Sequence, residues 1–110
     1  MKESQRPSAF RLLGLARRAG AVAPGTDATR RSIRRGEARL VLVARDTSSV
    51  QMDKVRKLMV KRPIPQAVLG DRATLGAAIG KGPTSAIAVT DESFAKLLLD
   101  YLEAASEVED

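Results

Sequence analysis

Apolar positions along the chain switch between a helical spacing and short unbroken runs. Between Ser8 and Gly20, the residues Phe10, Leu12, Leu13, Ala16 and Ala19 form one stripe at helical intervals. Ser8 is suited to cap the start of this helix, and Gly20 to close it in a left-handed conformation. "AVAPG" (21–25) interrupts the period; Pro24 disfavours helix at the residue before it, so a short extended piece and a turn are expected. Helical spacing resumes over 25–35, with Ala28, Thr29, Ser32 and Ile33 inward and Gly36 at the end. "RLVLVAR" (39–45) is a near-continuous run of Leu and Val. Such a run predicts a central strand covered on both faces, which requires helices on both sides of the sheet.

The second half repeats the alternation. "DTSS" (46–49) offers several N-cap candidates for a helix over 49–62, with Met52, Val55, Leu58 and Met59 inward and Pro63 as its stop. "QAVLG" (66–70) reads as a short strand, "RATLGAAIG" (72–80) as a short helix and "SAIAVT" (85–90) as a buried strand. Thr90 or Asp91 then caps a last helix with Phe94, Leu97, Leu98 and Tyr101 inward, and the acidic tail beyond it is expected to fray. The pattern predicts a three-layer α/β/α sandwich around a small mixed sheet. It forms one domain over 1–110, ordered across about 8–104, with no repeat, low-complexity tract or linker.

The absent residues narrow the chemistry. There is no Cys and no His, which removes disulfides, thiolate metal sites, a cysteine nucleophile and the commonest general base. No metal or cofactor is therefore expected. Phe10, Phe94 and Tyr101 are the only aromatics, too few for a platform that stacks successive bases of a single strand. No apolar stretch approaches the roughly 20 residues that cross a bilayer. "MKESQRPSAF" lacks a hydrophobic signal core, so a cytoplasmic location is expected and no membrane partner.

Charge is distributed unevenly. Residues 1–90 carry 18 Lys and Arg against 6 Asp and Glu, while residues 91–110 carry 7 acidic residues and the single Lys96. A body this basic attracts polyanions, nucleic acid first among them. Four of the cations crowd one helix: Arg30 with Arg34 and Arg31 with Arg35 stand at four-residue spacing, where like charges cost a few tenths of a kcal/mol per pair. Only Asp27 shares their side. A solvated face whose arginine stems cover apolar neighbours is one reading. A polyphosphate ligand is the better one, because it converts the repulsion into attraction, and arginine suits bidentate contact with phosphate and guanine edges. The free amides after Gly25 offer a further anion contact.

"GKGPT" (80–84) is the second candidate surface, where two glycines, a lysine and a proline permit close approach of a ligand. A nucleotide phosphate loop is excluded: Gly76 to Gly80 is one residue too short for that motif, and Gly82 stands where Ser or Thr should follow the lysine. Asp46, Asp71 and Asp91 read as helix-start residues, and no pair of acids has a catalytic context. Lys54, Arg56, Lys57, Lys61 and Arg62 spread around their helix and read as solubility charge.

"GTDATRRSIRRGEARLVLVARD" resembles the first signature of the L7Ae/L30e ribosomal-protein superfamily, and "LGAAIGKGPTSAIAVTD" its second. "LLGLARRAG" and "VTDESFAKLLLDYL" are most similar to the bacterial YlxQ-like branch, and the resemblance spans about residues 9–102. It implies an α/β/α sandwich that binds RNA without catalysis. Members that bind kink-turn RNA set the start of the second helix against sheared G·A pairs through Gly-x-Asn-Glu-x-x-Lys and a basic residue four positions later. By resemblance, Gly25 matches the glycine, Arg31 the lysine and Arg35 the later basic residue, while Asp27 stands for the asparagine and Ala28 for the glutamate. Gly80 to Thr84 would cover the flipped-out base.

The expected function is non-enzymatic recognition of structured ribosomal or other non-coding RNA by a monomer. Gly25, Thr26, Asp27 and Ala28 would lie at base edges, Arg30, Arg31, Arg34 and Arg35 on phosphates, and Lys81, Gly82 and Pro83 over the bend. The alternative is a protein-interaction adaptor that docks ribosomal proteins through its acidic last helix. An enzyme ranks last, since the chain carries no cofactor motif.

Overall fold

The computed structural model describes residues 8–109, and side chains as far as residue 103. The order of elements is α1 (Ala9–Arg18), β1 (Val22–Pro24), α2 (Thr26–Arg34), β2 (Leu40–Val43), α3 (Ser49–Met59), β3 (Gln66–Val68), α4 (Arg72–Ala78), β4 (Ala86–Val89) and α5 (Glu92–Glu109). The strands form one mixed sheet in the order β1-β4-β2-β3. β4 runs antiparallel to β1 and β2, with Val22 opposite Val89 and Leu42 opposite Ile87. β2 runs parallel to β3, with Leu42 opposite Ala67. Pro24, which has no N–H to give to a ladder, sits on the edge strand β1, where that loss is tolerated.

The two central strands are buried along their whole length, and their alternation divides the core in two. Leu40, Leu42, Ile87 and Val89 point to one face, where they meet Leu13 of α1, Leu75 of α4 and Leu98 of α5. Val41, Val43, Ala86 and Ala88 point to the other and meet Ile33 of α2 and Val55 of α3. Each of the large side chains withdrawn fully from water contributes about 1.5–3 kcal/mol, and this is the three-layer sandwich the Leu/Val run implied.

Several local expectations shift by a helical position. Ala19 is exposed at the end of α1 and Ala9 takes the inward place. Leu97 is 52% exposed, because Phe94, Ala95, Leu98, Tyr101 and Leu102 define the inner stripe of α5 and Leu97 lies one residue off it. α3 ends at Met59 with Val60 as its C-cap, short of residue 62; Pro63 disfavours helical backbone at the residue before it. The acidic tail expected to fray falls mostly on residues 104–110, whose side chains lie outside the described ones.

Asp46 caps a different helix from the one its position implied. Ser48 accepts from the Gln51 N–H at 3.2 Å and starts α3, whereas Asp46 accepts from the Arg72 N–H at 2.8 Å, at the start of α4. Asp71 completes that start in a reciprocal box with Thr74, accepting its N–H at 2.8 Å. The Thr74 hydroxyl and N–H, followed by the Arg45 guanidinium, hold the Asp71 carboxyl below its ordinary value of 3.8.

α2 presents Thr29, Ser32 and Ile33 to the sheet, and Thr29 is fully buried with no hydrogen-bond partner for its hydroxyl among the described residues. An unpaired buried hydroxyl costs about 1–3 kcal/mol. Thr29→Val keeps the shape and the β-branch, so it is expected to raise stability by about 1 kcal/mol. The check is the urea midpoint, which should rise by about 0.5 M.

Candidate nucleic-acid interface

Three segments that are distant in sequence converge beyond the end of β1. The Gly25 N–H donates to the Ala86 carbonyl at 3.0 Å, tying the end of β1 to β4. Gly25 then turns the chain with φ 96° and ψ 164°, a conformation that side-chain-bearing residues rarely adopt. α2 starts at once. Its first intrahelical donor is the Thr29 N–H, to the Gly25 carbonyl, and among the described residues no side chain caps the preceding N–H groups of Thr26, Asp27 and Ala28. These groups concentrate the positive end of the helix dipole at the surface.

α3 packs beside α2 on the same face of the sheet. Its Met52 and Val55 face the core, which turns Gln51 and Lys54 toward the start of α2. The 80–84 loop arrives from the opposite layer, seated on α4. The Lys81 N–H donates to the Gly76 carbonyl at 2.8 Å, the Thr84 N–H to the Arg72 carbonyl at 3.0 Å, and the buried Thr84 hydroxyl to the Gly82 carbonyl at 2.8 Å. A loop pinned in this way holds Lys81 at a defined place.

The result is an open groove of about 510 Å³, lined by Pro24 to Ala28, Arg31, Gln51, Lys54 and Lys81. Three cations and one carboxylate border it. Asp27 is exposed and loosely paired with Arg30 at 3.8 Å, an exposed pair worth at most about 1 kcal/mol. The arrangement combines free helix-start amides, an acceptor and three cationic side chains, a set that fits phosphate oxygens and base edges.

The groove therefore brings together Gly25, Thr26, Asp27, Ala28, Arg31 and Lys81. Gly82 and Pro83 are exposed in the loop but do not line it. Arg30 is part of α2 and has its Nε buried, while Arg34 and Arg35 border a different cavity at the other end of the helix. Sequence reasoning missed Gln51 and Lys54. Their signal was faint but present: they stand three apart, each one position before a core residue of α3.

The sequence model of a ribosomal-protein family, described as L7Ae/L30e/S12e/Gadd45, matches residues 8–99. The chain belongs to that family. Among its relatives, it is 40% identical over 94 residues to "RNA-binding protein YlxQ" of Bacillus subtilis, covering 86% of this chain and 94% of that one. It is 34% identical over 103 residues to the protein of the same name from Enterococcus faecium, covering 94% and 99%. Among solved structures, a protein of unknown function from Bacillus halodurans superposes with a TM-score of 0.81 at 30% identity, covering 89% of this chain and 99% of that one. A 15.5 kD RNA-binding protein of Giardia lamblia superposes with a TM-score of 0.72 at 17% identity, covering 89% and 84%, which shows that the two share the L7Ae fold.

Proposed function

We propose that this protein is a non-enzymatic RNA-binding protein that recognises a sharply bent, structured RNA, a kink-turn in the first instance, within ribosomal or other non-coding RNA. The convergence of the uncapped start of α2 with Arg31, Lys54 and Lys81 around one groove carries the reading. The family and the names of the YlxQ relatives support it. The Asp27 carboxylate accepts guanine imino and amino protons at the place where kink-turn binders offer an asparagine. Ala28 supplies no acceptor, so discrimination rests on the shape of the bent backbone more than on base-edge contacts.

The test is fluorescence anisotropy with a kink-turn hairpin and with a straight duplex in which Watson–Crick pairs replace its G·A pairs, across a salt series. Preference for the bent RNA is expected, with a log–log slope of affinity on salt of roughly −3 to −5, as for four to six neutralised phosphates. Equal affinity for both RNAs would refute the recognition of the bend. No binding of either in dilute buffer would refute the function.

A further inference from the structure

A second cationic cavity lies at the opposite end of α2, about 14 Å along the helix axis from its start. Its volume is about 470 Å³, and five cations line it: Arg34 and Arg35 from the end of α2, Arg39 before β2, and Lys61 and Arg62 from the turn after α3. Ile64 and Pro65 are also part of its wall. Cations at two helix C-termini offset the helix dipoles, and two of the five act in this way. Arg39 donates to the Gly36 carbonyl at 3.0 Å and Arg62 to the Leu58 carbonyl at 3.0 Å. The side chains of Arg34, Arg35 and Lys61 have no protein acceptor among the described residues, and none of the five cations forms an ion pair there. Glu37 is adjacent in the chain but does not line the cavity.

One face of α2 links the two cavities. Arg31 borders the groove at the start of α2, Arg35 borders the second cavity, and at four-residue spacing the two are neighbours on one face, about 6 Å apart. A continuous cationic track thus runs from Lys81 and Lys54 through Arg31 to Arg35, Arg34 and Lys61. From these observations we infer that the second cavity is a phosphate-backbone site for the stem that leaves the bent element, so that one RNA occupies both ends of α2. The inference rests on the RNA reading of the groove. Contacts of this kind fix the register of the RNA and add affinity without reading its sequence.

Hydroxyl-radical footprinting on a kink-turn hairpin with ten-base-pair stems tests it, comparing wild type with the double variant R34Q/K61Q. Both side chains are exposed and make no hydrogen bond or ion pair with the described residues, so an unchanged fold is expected, which thermal melting checks. Wild type is expected to protect the internal loop and a run of backbone in one stem. The variant should keep the loop protection, lose the stem protection, bind about tenfold more weakly and show a salt slope shallower by about 1–2. Wild-type protection confined to the internal loop, or stem protection that persists in the variant, overturns the second site. Stem protection without loop protection overturns the groove reading and, with it, the occupancy of both ends of α2 by one RNA.

Discussion

Replacing Arg31 and Lys81 together by alanine is expected to lower affinity for a kink-turn RNA about a hundredfold at moderate salt. Each residue lines the groove at the start of α2, from a different layer of the sandwich, so the pair brackets whatever lies there. A charge-assisted hydrogen bond contributes about 1.5–3 kcal/mol, and about 1.4 kcal/mol is a factor of ten. Removing two such bonds to the RNA therefore weakens binding by at least two orders of magnitude. Stability should hardly move: both residues are exposed, neither forms an ion pair among the described residues, and removing Arg31 relieves its repulsion with Arg35. A shift in melting temperature of about 3 °C or less is expected. The control is Arg17→Ala with Arg18→Ala, which removes the same charge from α1 on the opposite face of the sheet. Through the long-range field alone, the two double variants would weaken binding equally. Through contact, the α1 pair costs little. Affinity within twofold of wild type for R31A/K81A would remove the groove from consideration.

Most of the scaffold is written in local patterns, because each layer is decided by its own period. The Leu/Val run of β2 demanded cover on both faces, and the structure supplies α2 with α3 on one side and α1, α4 and α5 on the other. Ser8 and Asp71 announced helix starts through oxygen atoms that need only neighbours in sequence. The misreadings are tertiary. Asp46 resembles a cap for α3, but the parallel pairing of β2 and β3 carries their C-terminal ends together, and its carboxylate meets the start of α4, 26 residues on. Lys54 resembles solvated charge until α3 is laid beside α2, which alone decides that its side chain borders the groove. The four arginines of α2 look like one cluster in sequence. Helix length separates them: Arg31 belongs to the groove, Arg34 and Arg35 to the far cavity, and Arg30 is partly buried and loosely paired with Asp27.

Gly76→Ala is expected to destabilise the fold by about 2–3 kcal/mol, although alanine is the better helix former by about 1 kcal/mol. Gly76 is buried in the middle of α4, and its helical backbone would accept any side chain. The obstacle is the loop laid across it. A Cβ there would overlap the Gly82 carbonyl oxygen and stand 2.8 Å from the Gly82 carbonyl carbon and 3.0 Å from the Lys81 carbonyl oxygen. All three are backbone atoms, so no rotamer change relieves the overlap; the 80–84 loop must lift. Lifting it breaks the bond from the Lys81 N–H to the Gly76 carbonyl and strains the seat of the buried Thr84. At about 4–8 °C per kcal/mol for a chain of this size, the melting temperature should fall by about 10–20 °C. Gly82→Ala is the matched control, because a Cβ at Gly82 meets open space. It should change stability by about 0.5 kcal/mol or less. RNA affinity of the folded Gly76→Ala protein should fall as well, since the displaced loop carries Lys81 out of the groove. A Gly76→Ala protein that melts like wild type and binds RNA as tightly would show that the loop is not seated on α4. Stability and recognition share this one crossing because the loop that presents the cation is held by the backbone of a helix with no side chain at that point.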